Sequence, residues 1–90
     1  MTEGRTPSAP TAVAVVDYLV RSLVDDPEAV VISQSDRRRR GRGVLIEVRT
    51  GPGDMGRVIG KAGKTAQAIR SVVRAAATRD GVEVDVDFVD

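Results

Sequence analysis

Apolar positions along the chain fall into two rhythms, one of three to four residues and one of two. Val13, Val16, Leu19, Val20, Leu23 and Val24 recur at helical spacing, with Asp17 and Arg21 on the opposite face. Pro10 suits the first turn of this helix, where a missing amide hydrogen costs nothing, with Ser8 or Ala9 near the cap. Pro27 disfavours helical geometry at Asp26 and so ends it. The short β-branched stretch EAVVIS predicts a strand over about residues 29–33. In GVLIEVRT, Val44, Ile46 and Val48 alternate with Leu45, Glu47 and Arg49, the period of a strand with one apolar face. The polar, glycine-containing segment between the two strands predicts an antiparallel hairpin.

GPGD, residues 51–54, reads as a turn, with Asp54 as N-cap of a short helix through Met55, Val58 and Ile59. Gly60 and Gly63 interrupt that helix. A second one is predicted over 64–78, with Ala66, Ile69, Val72, Val73 and Ala76 inward and Arg70 and Arg74 turned away. Gly81 suits the left-handed position that closes it. VEVDVDFV then alternates strictly, with Val82, Val84, Val86 and Phe88 inward and Glu83, Asp85 and Asp87 outward. The predicted order is α-β-β-α-α-β, a two-layer α+β domain of three strands and three helices. Residues 1–9 read as a flexible N-terminal arm and 10–90 as the domain.

Composition removes whole classes of function. The 90 residues contain no cysteine and no histidine, which excludes disulfides and thiolate metal sites and removes the commonest general base. Glu83, Asp85 and Asp87 alternate outward along one strand, the pattern of a solubilising face rather than a converging metal site. The chain therefore reads as a non-enzyme with no cofactor and no metal. No apolar run approaches the ~20 residues of a membrane span, and MTEGRTPSAPTA lacks a signal pattern, so a soluble cytoplasmic protein is expected.

Charge is nearly balanced overall but unevenly placed. Residues 1–36 carry two basic and six acidic side chains, residues 37–74 eleven basic and two acidic, and residues 75–90 one basic and five acidic. A basic middle with acidic flanks suits a one-sided positive surface facing a polyanion, and equally a solvated exterior. The run Arg37-Arg38-Arg39-Arg40-Gly41-Arg42 reads either as an added phosphate contact or as a solvated loop tip.

The chemistry concentrates in RVIGKAGKT, residues 57–65. Its G-K-T ending suggests a nucleotide-binding P-loop, but that motif needs a glycine where Val58 stands and a buried strand leading into it. The alternative is a tight turn between two helices whose glycines let the backbone approach a phosphate closely. The following helix would aim free amides and its positive dipole end at the same place. Lys61 and Lys64 add mobile charge, with Arg57, Arg70 and Arg74 extending the basic face. A plain helical corner would also use G-x-x-G.

VIGKAGKTAQAIRSVVRAAA, together with YLVRSLVDDPEAV and GDMGRVIGKAGK, resembles the small bacterial single-KH RNA-binding proteins of the KhpA type, the YlqC family. The resemblance runs from Val13 to Val89. It implies a type II, prokaryotic KH fold whose GXXG loop clamps about four nucleotides of single-stranded backbone. The clamp falls to Gly60, Lys61, Ala62 and Gly63, with apolar support from Val58, Ile59 and Ile69. Bases would lie in a shallow groove, lined by Val and Ile, between the second helix of the pair and the sheet. The resemblance also implies an RNA chaperone or post-transcriptional regulator linked to cell growth or division. As partner it implies a second copy or a larger Jag-type KH protein. Val20 or Val24 would offer the contact if exposed, but their place in the apolar line of the first helix favours the core. The alternative is a protein-interaction adaptor, a KH dimerisation module that binds no RNA itself. The long N-terminal arm and the arginine run depart from the family pattern.

Overall fold

The computed structural model describes residues 8–36 and 43–89. The arginine run at 37–42, and with it the choice between phosphate contact and loop tip, lies outside the described residues, as does the N-terminal arm up to residue 7.

Helix α1 (Pro10–Leu23) leads through a single 3-10 turn (Pro27–Ala29) into strand β1 (Val31–Asp36), then β2 (Gly43–Arg49). A short helix α2 (Met55–Ile59) is followed by one 3-10 turn (Lys61–Gly63), the long helix α3 (Lys64–Ala77), another 3-10 turn (Thr78–Asp80) and strand β3 (Glu83–Val89). The order is the α-β-β-α-α-β of a type II KH fold. The sheet runs β1-β2-β3, with β1 antiparallel to β2 and β2 parallel to β3. β1 begins two residues later than its sequence predicts. Pro27 holds a helical turn, in which Ala29 N and Val30 N donate to Asp26 O and Pro27 O at 3.1 and 3.2 Å.

One sheet face carries the core. Val44, Ile46, Val48, Val84 and Val86 are buried against Ala12, Val16 and Val20 of α1 and Ile69, Val73 and Ala77 of α3. Register places Ile46 beside Val86 and Val44 beside Val84, so the two-residue rhythm of both strands lands on the same side. The other face pairs Leu45 with Asp85 and Glu47 with Asp87. Adjacent carboxylates there make an acidic, solvated surface. On α3 the apolar line is displaced from its expected track. Ala77 is buried where Ala76 was expected, and Val72 is 49% exposed. Val20 is buried as well, while Ala9, placed in the arm by its composition, belongs to the core.

Both ends of α1 are held from outside the helix. The N-cap, Ala9, offers no side-chain acceptor. Instead, the Asp80 carboxylate accepts from Thr11 N at 3.1 Å and Ala12 N at 3.0 Å, across 69 and 68 residues of chain. Beyond the C-terminal end, Asp54 Oδ1 and Oδ2 accept from Asp25 N and Asp26 N at 3.2 and 3.0 Å. On the polar face Arg21 Nε reaches Asp17 at 2.8 Å, while its other nitrogens donate to Pro27 O and to Val30 O. That arginine thus ties the turn after α1 back to the helix.

Burial alone would raise the Asp80 carboxyl pKa, but hydrogen bonds from Ala12 and Thr11 outweigh it and hold the group below the usual carboxylate range. A depressed folded value means that the unfolded state binds the proton more readily. The stabilisation is therefore complete above the unfolded value of about 3.9 and is lost as pH falls through the folded one. Asp80→Ala removes a cap worth about 1 kcal/mol and should lower the melting temperature at neutral pH by about 4–8 °C. Circular dichroism melts should also show a shallower acid loss in Asp80→Asn than in the wild type below about pH 4.

Candidate nucleic-acid interface

The turn between α2 and α3 is set by backbone geometry that side chains resist. α2 stops at Gly60, whose φ of 76° and ψ of 177° lie in a region essentially restricted to glycine. A Cβ there would also stand 2.2 Å from Thr65 Oγ1 and 2.6 Å from Thr65 Cβ. Thr65 thus lies over the bare Gly60 Cα, and the sequence reading gave this residue no role. Ala62 holds φ 57° and ψ 25°, the left-handed region, at a cost of about 1 kcal/mol for a residue with a side chain. Gly63 is left-handed too, at φ 75° and ψ 11°, but nothing lies within 4 Å of where its Cβ would be.

Part of the turn's hydrogen bonding is satisfied internally. Gly60 N donates to Gly56 O at 2.9 Å and Gly63 N to Gly60 O at 3.2 Å. Lys64 N donates to Lys61 O. Closing the turn consumes these three amides. Lys61 N and Ala62 N begin the 3-10 turn, and Thr65 N and Ala66 N lie in the first turn of α3, the positions where a helix's own carbonyls do not serve every amide. α3 has no side-chain cap, leaving its dipole end uncovered.

The five expected cations divide into two groups. Lys61 and Lys64 are exposed and, among the described residues, unpaired. Arg57 instead reaches Asp25 at 3.1 Å and Asp54 at 3.5 Å, so it braces α2 against the segment after α1. Asp54 sits at the N-cap of α2 as expected but makes no cap bond there. Its carboxylate, nearly fully buried, serves Asp25 N, Asp26 N and Arg57 instead. Arg74 makes a loose pair with Asp85 at 3.8 Å, both more than half exposed, which contributes little. Arg70 is half-buried; its Nε donates to Val86 O of β3 at 3.2 Å, and its Cζ lies 5.1 Å from the Phe88 ring centroid. Val58 is fully buried and supports the turn from beneath, with Ile59 half-buried beside it.

The boundary between α3 and β3 is more polar than the expected Val and Ile lining. A shallow depression there is walled by Arg74, Thr78, Val82, Glu83, Val84 and Asp85. Ile69, expected on that side, instead lines an apolar cleft between α1 and α3 with Tyr18, Leu19, Leu23 and Val72. Among the described residues no cluster of His, Cys, Asp or Glu could hold a metal ion, and no helix is long and apolar enough to cross a membrane.

Residues 13–88 match the family model described as KhpA/KhpB, KH domain. The RNA-binding protein KhpA of Halalkalibacterium halodurans is 45% identical over 76 residues, covering 84% of this chain and 96% of its own. That of Streptomyces coelicolor is 47% identical over 75 residues, covering 83% and 90%. The Mycobacterium bovis protein of the same name is 42% identical over 74 residues, covering 82% and 88%.

Gly60→Ala should cost at least about 2 kcal/mol in urea unfolding, because backbone strain and the Thr65 overlap act together. Gly63→Ala, with open space around it, should cost about 1 kcal/mol. Equal costs at the two positions would contradict the close Gly60–Thr65 packing.

Proposed function

The chain belongs to the KhpA/KhpB KH-domain family, and from that premise we propose that it binds single-stranded RNA through the Gly60–Gly63 turn. RNA binding is the activity named for its relatives, which are KH-domain binding proteins and not enzymes. The observation that carries the clamp reading is the pairing of two exposed lysines, unpaired among the described residues, with a helix N-terminus that has no side-chain cap. Lys61 and Lys64 flank a bend where the backbone is closely approachable, next to the uncovered N-terminus of a 14-residue helix. A phosphate there gains hydrogen bonds, a helix dipole and two mobile cations without displacing any internal pair. Arg57 would support this from behind, through α2, and not by touching the strand.

The RNA would leave the turn along α3 toward β3. With aromatic stacking nearly absent, affinity should come mostly from phosphate contacts and fall steeply with salt. A weak single module gains from a second one in the same assembly. The partner in this reading is another KH chain, either a second copy or a Jag-type protein, at the apolar cleft between α1 and α3. Among the described residues, three of the four exposed large apolar side chains, Tyr18, Leu23 and Val72, line that cleft. A role as RNA chaperone or post-transcriptional regulator of growth or division, in the cytoplasm, follows from such loose, cooperative binding.

Lys61→Asp combined with Ala62→Asp should abolish binding to a ten-nucleotide single strand in fluorescence anisotropy at low salt, with an unchanged circular dichroism melt. Aspartate tolerates the left-handed geometry of position 62, so the charge changes and the bend does not. Binding that survives this pair of changes would refute the clamp. Val72→Asp should shift sedimentation from dimer toward monomer; a wild type that sediments as a monomer at every concentration rejects the self-association and leaves only the Jag-type partner.

A further inference from the structure

Arg70 differs from every other cation near the turn. Its Nε proton is committed to Val86 O, 3.2 Å away on the edge strand β3. Its Cζ lies over the Phe88 ring, 5.1 Å from the centroid. Two independent contacts therefore hold the group in place. Neither Nη nitrogen has a partner among the described residues. What remains is a planar, pre-set pair of donors beside the sheet edge. A flexible phosphate contact needs no such fixing, and Lys61 and Lys64 lack it.

We infer that Arg70 reads a base, selecting one that presents two adjacent hydrogen-bond acceptors to its Nη1–Nη2 edge. Guanine offers O6 and N7 in that arrangement, and cytosine offers O2 and N3. Adenine places its N6 amino donor beside both N1 and N7 and has no second acceptor next to N3, and uracil separates its two carbonyl acceptors by an N–H. Both therefore leave one Nη proton facing a donor or nothing. Because the guanidinium is already immobilised, little side-chain entropy remains to be lost on binding. Phe88, one of only two aromatic residues, acts through Arg70 as a positioning residue and not as a stacking platform.

This inference rests on the single-stranded RNA reading above, and its test separates the two. Anisotropy titrations would use ten-nucleotide strands of uridine, either unbroken or carrying one central G, C or A. The wild type should bind the G or the C strand at least about fivefold more tightly than the A and all-U strands. Preference for G assigns the O6/N7 edge and preference for C the O2/N3 edge. Arg70→Lys keeps the charge but cannot form the paired contact. It should bind all four strands alike, with the preference for G or C lost. Arg70→Gln should likewise lose the preference. A purely structural Arg70 would change melting temperature and leave base preference alone. Equal wild-type binding of all four strands, or a preference kept by either variant, overturns the assignment while the clamp stands. No binding to any strand overturns both.

Discussion

Thr65 lying over the bare α-carbon of Gly60 is the contact on which the rest of the site depends. Gly60 can hold its glycine-only backbone angles because no side chain competes with Thr65 for that space. Those angles end α2 abruptly and reverse the chain within the three residues Lys61–Gly63. α3 then starts with no side-chain cap on its positive dipole end. Any Cβ at position 60 must push Thr65, and with it the first turn of α3, away from the bend. The strain held at Ala62 is sustained by this same over-determined corner.

A second constraint comes from two carboxylates that act far from their own sequence neighbourhood. Asp80 satisfies the first amides of α1, and Asp54 those of the segment that leaves it. Between them they orient the helix that covers one side of the core. Asp54 also draws in Arg57, so the entry to α2 and the exit from α1 move as one unit. A buried carboxylate is stabilising only with its partners in place, and here two amides and a guanidinium provide them. Asp80, which looks like part of a solvating flank in the linear charge pattern, and Asp54, an acidic residue within the basic middle, are structural members of the fold.

The basic middle of the chain likewise resolves into separate tasks. Lys61 and Lys64 are exposed and unpaired among the described residues. Arg57 is spent on bracing α2, and Arg74 faces an exposed aspartate. Arg70 is fixed against the edge of β3 by one hydrogen bond and one ring. A net positive charge over a segment describes long-range attraction. It does not separate a cation that meets the ligand from one that holds up the element beneath it.

Element order, the apolar faces of β2 and β3 and the glycine-bounded turn were legible in the sequence, and the KH fold through its resemblance to a family. The first three depend on local rules: period two or near four, proline stops, and glycine where positive φ is needed. The turn at residues 57–65 was legible because its geometry is backbone geometry, and glycine spacing records it directly. Only the tertiary structure decided which partner each polar side chain takes. Asp80 and Thr11 are 69 residues apart, Arg57 and Asp25 are 32 apart, and Arg70 meets β3 through the packing of a helix on a sheet edge. It also decided the exposure of Val72 and the burial of Ala77. A helix's apolar stripe is broad enough to allow several rotations, and the neighbouring helix and sheet select one.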